Sequence, residues 1–188
     1  MPTLALFDLD HTLLSGDSDV LWCDFLMDEG VLDRAAFAPR NAQMEADYKV
    51  GTVDAAAFAG FYVSTLAGRT LAEWEPLRQA FLRDWVVPRI PEAARTLVKA
   101  HQAAGDLVVM TTATNRVVSA LTAVDLGVDH YLATDLEVID GRFSGRTQGA
   151  LNMRTGKVER LRAWLLQQQL SETLLRQATF YTRSEEHT

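Results

Sequence analysis

The sequence predicts an α/β fold, a parallel sheet with a helical insertion after its first strand, and three observations carry that expectation. Apolar runs that end in polar or acidic residues open the chain at Thr3–Asp8 and return at Asp106–Thr114. Helical patterns follow the second run, and further short strand and helix signals alternate to residue 181. Between the two runs, from Ser18 to about Ala104, only helix signals occur. At 188 residues, 48% hydrophobic and 23% charged, the chain has the size and composition of one folded domain carrying an insertion.

Each element follows from local pattern. Leu4 to Phe7 is a buried strand whose carboxyl end carries carboxylates. In the insertion, Leu21, Trp22, Phe25 and Leu26 form one apolar helix face that Gly30 terminates, and Phe58, Phe61, Tyr62 and Leu66 form another. Thr70-Leu-Ala-Glu73 has capping-box form, although Pro76 leaves the start of that helix open. Gly105 precedes the second strand, and Asn115 onward is helical. Tyr131–Thr134 and Ala178–Tyr181 are shorter strands, and between them lies a helix over 157–169 whose Val158, Leu161, Trp164 and Leu165 share one face. Asp140-Gly141, between Glu137-Val-Ile and Arg142-Phe-Ser, marks a hairpin turn.

Composition excludes several function classes. Leu4 to Phe7 is too short for a signal-peptide core, no Lys or Arg precedes it, and no segment approaches a membrane span, so no membrane partner is expected. The single cysteine, Cys23, excludes an internal disulfide and a Cys-based zinc cluster; it reads as a small apolar helix residue and makes a cytoplasmic location the expectation. A net charge of −7, from 25 acidic against 18 basic side chains, repels phosphate backbones, so no nucleic-acid partner is expected. A small anionic substrate then needs a local pocket of positive charge or a metal.

The chemistry concentrates at the end of the first strand, where Asp8 and Asp10 lie two residues apart and Thr12 follows. A calcium loop fails on pattern, since its sixth position would be Leu13 rather than Gly and its twelfth Asp19 rather than Glu. Exposed turn carboxylates are the bland alternative, and an active site at the carboxyl end of a parallel strand fits better.

Asp8-Leu-Asp-His-Thr12 resembles the DxDxT signature of the haloacid dehalogenase (HAD) superfamily of phosphatases. Thr112 after the second strand and Lys157 at the start of a later helix fall in the order of that family's next two motifs. The likeness to the subfamily of phosphoserine phosphatases, and to bacterial members described as histidinol-phosphate phosphatases, runs through most of the chain. It includes the helical cap and the stretch Ala133-Thr-Asp-Leu-Glu-Val-Ile-Asp-Gly-Arg142. The resemblance implies a discontinuous Rossmann-like core over 1–14 and 91–182, with a helical cap over 15–90.

It also implies roles. Asp8 is the nucleophile that forms an aspartyl-phosphate, and Asp10 is the general acid and base. Mg²⁺ sits between substrate and nucleophile, held by Asp8 and by Asp10 through its backbone carbonyl. Thr112 donates its hydroxyl to a phosphate oxygen, and Lys157 supplies a positive charge to the phosphate and the nucleophile. Read locally, Thr112 or Thr114 could instead cap the following helix, and Lys157 could be merely solvated. Asp17, nine residues after Asp8, occupies the offset where phosphoserine phosphatases carry a Glu that reads the substrate ammonium; it or Ser18 could equally cap the first helix. Asp19 and Trp22 are weaker candidates still. Arg40, Arg69 and Arg116 are unranked anion contacts, and His11 is expected to serve only through its backbone.

The likeness breaks after the last strand. The family's fourth motif supplies aspartates that complete the Mg²⁺ site, whereas this chain reads Thr182-Arg-Ser-Glu-Glu-His-Thr188, with Arg183 at the first of those positions. Residues 183–188 match the in-frame translation of a common sequencing-library adapter and are read as a non-native tail, with the chain truncated there. The expected function is a Mg²⁺-dependent phosphomonoester hydrolase acting on a small, amine-bearing phosphorylated metabolite of the histidinol phosphate or phosphoserine type. The alternatives are a phosphotransferase or mutase of the same superfamily, or a catalytically impaired fragment.

Overall fold

The computed structural model describes residues 3–183. Its strands are β1 (Leu4–Asp8), β2 (Leu107–Asn115), β3 (His130–Ile139), β4 (Arg142–Gln148) and β5 (Thr179–Tyr181). They form one sheet in the order β4-β3-β2-β1-β5, parallel throughout except for the antiparallel β3–β4 hairpin. Four helices, α1 (Ser18–Asp28), α2 (Arg34–Lys49), α3 (Ala55–Ser64) and α4 (Leu71–Phe81), follow β1 before α5 (Glu92–Ala103) leads into β2. After β2 come α6 (Arg116–Asp125) and, beyond the hairpin, α7 (Thr155–Gln167). This is the α/β architecture expected, with helices inserted after the first strand. No helix among the described residues is long and apolar enough to cross a membrane.

β1 is buried along its whole length because both faces of the sheet are covered, which is why its sequence is a continuous apolar run. Successive side chains point to opposite faces. Leu4 and Leu6 join Val109 and Leu132 against Leu161, Trp164 and Leu165 of α7. Ala5 and Phe7 join Val108 and Met110 in a second cluster that also holds Trp22, Phe25, Trp74 and Phe81 of the inserted helices. There the Trp22 ring lies 5.7 Å from Trp74 and 5.1 Å from Phe81, both edge-on, so α1 and α4 are fastened to the sheet by aromatic packing.

The capping box forms as read, with Thr70 Oγ1 accepting from Glu73 N and Glu73 Oε2 accepting from Thr70 N; the helix starts at Leu71 and runs through Pro76. The hairpin turn also forms, with Asp140 at φ 52° and Gly141 at φ 78°, the left-handed pair that a tight turn of this type requires. β3 reaches five residues past the expected end because the antiparallel partner β4 extends it. The 157–169 helix starts two residues earlier, and its inward stripe is Lys157, Leu161, Trp164 and Leu165. Val158 is displaced to the surface at 46% exposed, since spacings of four, seven and eight place Lys157 directly over the buried residues. The expected non-native tail beyond Arg183 lies outside the described residues.

At the opposite edge of β1 from the site, Asp106 ties three elements together. Thr3 donates its hydroxyl (2.6 Å) and its amide (3.2 Å) to Oδ1, and His101 Nδ1 lies 2.7 Å from Oδ2. His101 Nε2 is 2.9 Å from the Tyr181 hydroxyl, and Tyr181 stacks on Phe7 at 4.7 Å. The hydrogen bonds from Thr3, then from His101, hold the Asp106 pKa at about 2, below the ordinary 3.8. A carboxylate with a depressed pKa adds stability that is complete above its unfolded value and is lost as pH falls through its folded value. Asp106→Asn is therefore expected to lower the melting temperature at neutral pH, and that gap should close as pH falls from about 4 to about 2; a thermal-denaturation series over that range measures it.

Candidate active site

The registers of β1 explain how the site assembles. Asp8 is level with Thr111 of β2, and Phe7 is level with Tyr181 of β5, so Asp10, Thr112–Thr114 and Thr182 emerge together at the carboxyl edge of the sheet. Asp8 is only 2% exposed and Lys157 only 6%, and Lys157 Nζ donates to Asp8 Oδ1 at 3.0 Å. Leu9 N donates to the same oxygen at 3.1 Å, and Thr182 Oγ1 donates to Oδ2 at 3.3 Å. Lys157 reaches this position because the chain before α7 is packed unusually tightly. A Cβ on Gly156 would overlap the Leu151 carbonyl, and Arg154 at the helix entry has φ 47°. Asn152 clamps the same loop to the sheet, donating from Nδ2 toward Thr111 Oγ1 (3.0 Å), the Thr112 carbonyl (2.8 Å) and the Leu132 carbonyl (2.9 Å).

Asp10 sits in a different environment, facing neutral donors. Its Oδ1 accepts from Ser18 N (2.7 Å) and Ser18 Oγ (2.6 Å), and its Oδ2 accepts from Thr114 Oγ1 (2.8 Å) and Thr112 Oγ1 (3.1 Å). Each hydroxyl has one proton, so with both committed to Asp10 the 2.8 Å Ser18 Oγ to Thr114 Oγ1 contact is a close approach that adds no further donor. Ser18 opens α1, so this clasp joins the inserted helices to the sheet.

The other sequence candidates separate clearly. Thr112 is fully buried with its hydroxyl on Asp10, and neither it nor Thr114 caps α6; that position belongs to Asn115, whose Oδ1 accepts from Val118 N at 3.1 Å. Asp17 caps α1, accepting from Asp19 N (2.9 Å) and Val20 N (3.0 Å), and also lines the cavity described below. Asp19 is 5% exposed, accepts from Asn115 Nδ2 at 3.0 Å and lines the same cavity. Trp22 belongs to the aromatic core. Arg40 lies over Phe61, Arg69 over Trp74, and Arg116 bonds Asp135 at 2.7 Å; none of the three lines the cavity. Burial opposes ionisation of Asp135, but hydrogen bonds from Arg160 and Arg116 outweigh it and hold its pKa below the usual value. His11 takes a left-handed φ of 56°.

Between the carboxyl edge of the sheet and α1–α3 lies a cavity of about 620 Å³. Asp8, Asp10, Thr114 and Arg154 line its sheet side, together with Arg183, whose amide donates to Thr12 Oγ1 at 2.9 Å. Asp17, Asp19, Glu45, Tyr48 and Phe58 line its helical side. Sequence reasoning had not singled out Ser18 or Thr114 as partners of Asp10, nor Asn152, Glu45 or Tyr48; the Thr114-Asn115 pair closing β2 was the one local signal available.

The cavity offers only part of what the expected Mg²⁺ needs. The Asp8 carboxylate and the Asp10 carbonyl are hard oxygen donors, the kind this ion takes. Among the described residues, however, no group of three or more His, Cys, Asp or Glu side chains converges, and the Asp10 carboxylate is occupied by hydroxyl and amide donors. Arg183 adds a positive charge to the same cavity. These residues do not make a complete Mg²⁺ site, and no reaction step is assigned to one.

A buried carboxylate at the carboxyl end of a central parallel strand, paired with a lysine and opening into a cavity under inserted helices, lies where α/β folds of this kind bind their ligands. The family profile described as haloacid dehalogenase-like hydrolase matches residues 5–182, and the chain belongs to that family. It is 34% identical over 175 residues to a histidinol-phosphatase of Neisseria meningitidis serogroup C, covering 93% of this chain and 78% of that protein. To phosphoserine phosphatase SerB1 of Mycobacterium tuberculosis it is 30% identical over 96% of its length, spanning 58% of that protein. Among solved structures, a protein of unknown function from Bordetella pertussis Tohama I superposes with TM-score 0.91 at 38% identity, covering 100% of this chain and 85% of that one. A phospho-aspartyl intermediate analogue of phosphoserine phosphatase superposes with TM-score 0.67 at 18% identity, over 95% of this chain and 77% of that one, a likeness of fold.

The pair at the centre of the site is open to a direct energetic test. Lys157→Met leaves Asp8 buried without its cation, and a loss of about 3–5 kcal/mol in unfolding free energy is expected. Adding Asp8→Asn should recover most of that loss, and a double-mutant cycle by urea denaturation measures the coupling.

Proposed function

We propose that this chain is a phosphomonoester hydrolase that works through an aspartyl-phosphate on Asp8. The observation that carries the reading is the Asp8–Lys157 pair, buried and 3.0 Å apart at the carboxyl end of β1, with the cavity opening onto it. In the first step an Asp8 carboxylate oxygen bonds to phosphorus as the bond to the alcohol oxygen breaks, and the protonated Asp10 gives its proton to the leaving oxygen. In the second, Asp10, now ionised, takes a proton from water as that water attacks phosphorus. The bond to Asp8 breaks, inorganic phosphate leaves, and Asp10 is again protonated.

Lys157 holds Asp8 in place and offers its charge to the phosphate oxygens as negative charge gathers there. Thr112 contributes its hydroxyl to the phosphate when that proton leaves Asp10, a partner exchange that accompanies movement of the acid toward the substrate. Residues 15–90 form the cap over the site. The substrate is a small phosphate ester of the histidinol phosphate or phosphoserine type, with Asp17 facing its amine. The named activities of the Neisseria and Mycobacterium relatives support this class.

HAD phosphatases generally use Mg²⁺, and Arg183 in the cavity favours a second statement about the chain as it stands: its turnover is impaired because a cation occupies ground where the family places carboxylates. The test is phosphate release from histidinol phosphate, phosphoserine and an aryl phosphate, with and without Mg²⁺. Arg183→Asp is expected to raise the Mg²⁺-dependent rate by about tenfold or more. Asp8→Asn should abolish release in either background. Normal turnover by the Asp8→Asn chain would overturn the nucleophile, and equal Mg²⁺ response before and after Arg183→Asp would overturn the account of impairment. Phosphate passed to an added alcohol in preference to water would instead mark a phosphotransferase.

A further inference from the structure

We infer that Arg154 receives the phosphate group of the substrate as it enters the cavity, a binding role that falls on none of the motif residues read from the sequence. The inference rests on the phosphomonoester reading above and adds to it the residue that captures the anion before it reaches Asp8.

Arg154 stands where the backbone suits glycine. Gly156 N donates to the Met153 carbonyl at 2.8 Å, closing a turn over 153–156 in which Arg154 is the first central residue, at φ 47° and ψ −122°. These dihedrals lie close to those of a type II′ turn, about +60° and −120°, a corner that glycine takes without strain and an L side chain does not. The neighbours impose the corner: Asn152 is bound to β2 and β3, and Gly156 has the Leu151 carbonyl against it, so the turn is set whatever side chain residue 154 carries. A strained backbone that its surroundings hold in place points to a function for the side chain that bears it.

The side chain is also uncommitted. Arg95, Arg116, Arg142 and Arg160 each hold a carboxylate, and Arg69 and Arg89 lie over indole rings. Arg154, by contrast, is exposed, lines the cavity and makes no side-chain hydrogen bond, ion pair or ring contact to another described residue. Of the lysines near the site, Lys157 is paired with Asp8 and Lys49 with Glu45. Arg183 lines the cavity too, but its backbone is not among the positive-φ residues, so strain singles out Arg154 of the two. A phosphate dianion entering the cavity passes Asp10, Asp17, Asp19 and Glu45, and it needs a cation that no carboxylate already matches. A guanidinium meets that need with paired N–H donors that fit two phosphate oxygens. Lys157 N donates to the Arg154 carbonyl at 3.1 Å, so Arg154 opens the same helix turn that carries Lys157 to Asp8, and an anion received at the first is brought beside the second.

The test is calorimetric titration of inorganic phosphate, in buffer containing Mg²⁺, into the full chain and into Arg154→Gln, which removes the charge and keeps a side chain at the turn. Phosphate is expected to bind Arg154→Gln about tenfold more weakly than the parent, and Arg154→Lys should recover part of the loss. Arg154→Gly should lose the same affinity yet melt no lower than the parent, since the strain relieved at φ 47° opposes the entropy that glycine adds to the unfolded chain. A residue kept for structure alone would melt lower as glycine and bind phosphate unchanged. Unchanged affinity in Arg154→Gln, whether or not Arg183→Ala weakens phosphate, overturns the role of Arg154 and leaves the phosphomonoester reading standing. Failure of phosphate to bind the parent chain overturns that reading, and this inference with it.

Discussion

The ion pair between Asp8 and Lys157 joins residues 149 positions apart and almost wholly removed from water, and the rest of the molecule is arranged around making it tolerable. Taking two charges out of water is costly, and their attraction offsets the cost only where the geometry is good and the remaining polar positions are satisfied. Both conditions are met here by neighbouring backbone and side-chain groups together. The Leu9 amide and the Thr182 hydroxyl serve the Asp8 oxygens, and Lys157 is delivered by the first turn of α7, where Gly156 has no room for a Cβ, and by the loop before it, whose Asn152 is tied to β2 and β3. The apolar stripe of α7, Leu161, Trp164 and Leu165, then presses the helix onto the sheet face formed by Leu4 and Leu6. The charge pair and the core beneath it fix one another.

Two carboxylates separated by one residue thereby acquire unlike surroundings. Asp8 faces a cation, while Asp10 faces three hydroxyls and an amide. Because Ser18 belongs to α1 and Thr114 to the end of β2, the Asp10 carboxylate is also a joint between the inserted helices and the sheet. Any shift of α1 relative to β2 alters the partners of Asp10 before it alters those of Asp8.

How much of this was legible in the sequence depended on whether the signal was local. Strand β1, the Thr70–Glu73 capping box and the Asp140-Gly141 turn are written in neighbouring residues, and each formed where the pattern put it. The fold class followed from the order of such signals. The face of α7 was misjudged at one position, because a lysine in an apolar stripe is discounted by any hydrophobicity pattern; only a buried partner such as Asp8 makes its inward placement affordable. Motif order pointed to Asp8 and Lys157 together, and the structure puts 3.0 Å between them. The Asp10 clasp was illegible, since Thr114 looked like a helix cap and Ser18 like another, and their meeting requires the register of β1 against β2. Glu45 and Tyr48 were illegible for a stronger reason: they fall between the two apolar helix faces that the pattern marks, and only the fold turns one side of α2 toward the cavity.

That difference reflects how the molecule divides its work. α1 and α4 share a hydrophobic cluster with the sheet through Trp22, Phe25, Trp74 and Phe81, so their placement is tied to the core that holds Asp8 and Asp10. The far side of the insertion packs separately: Cys23, Phe58 and Tyr62 form their own cluster with Phe37, Met44, Tyr48 and Phe61 partly buried against it. The two clusters meet at α1 and α3, since Val63 of α3 belongs to the cluster on the sheet and Cys23 of α1 to the outer one. Glu45 and Tyr48 of α2, which line the cavity, lie outside the cluster that packs β1 in place. The carboxylates are thus anchored in the sheet, while the facing wall of the cavity is carried by the helices laid over it.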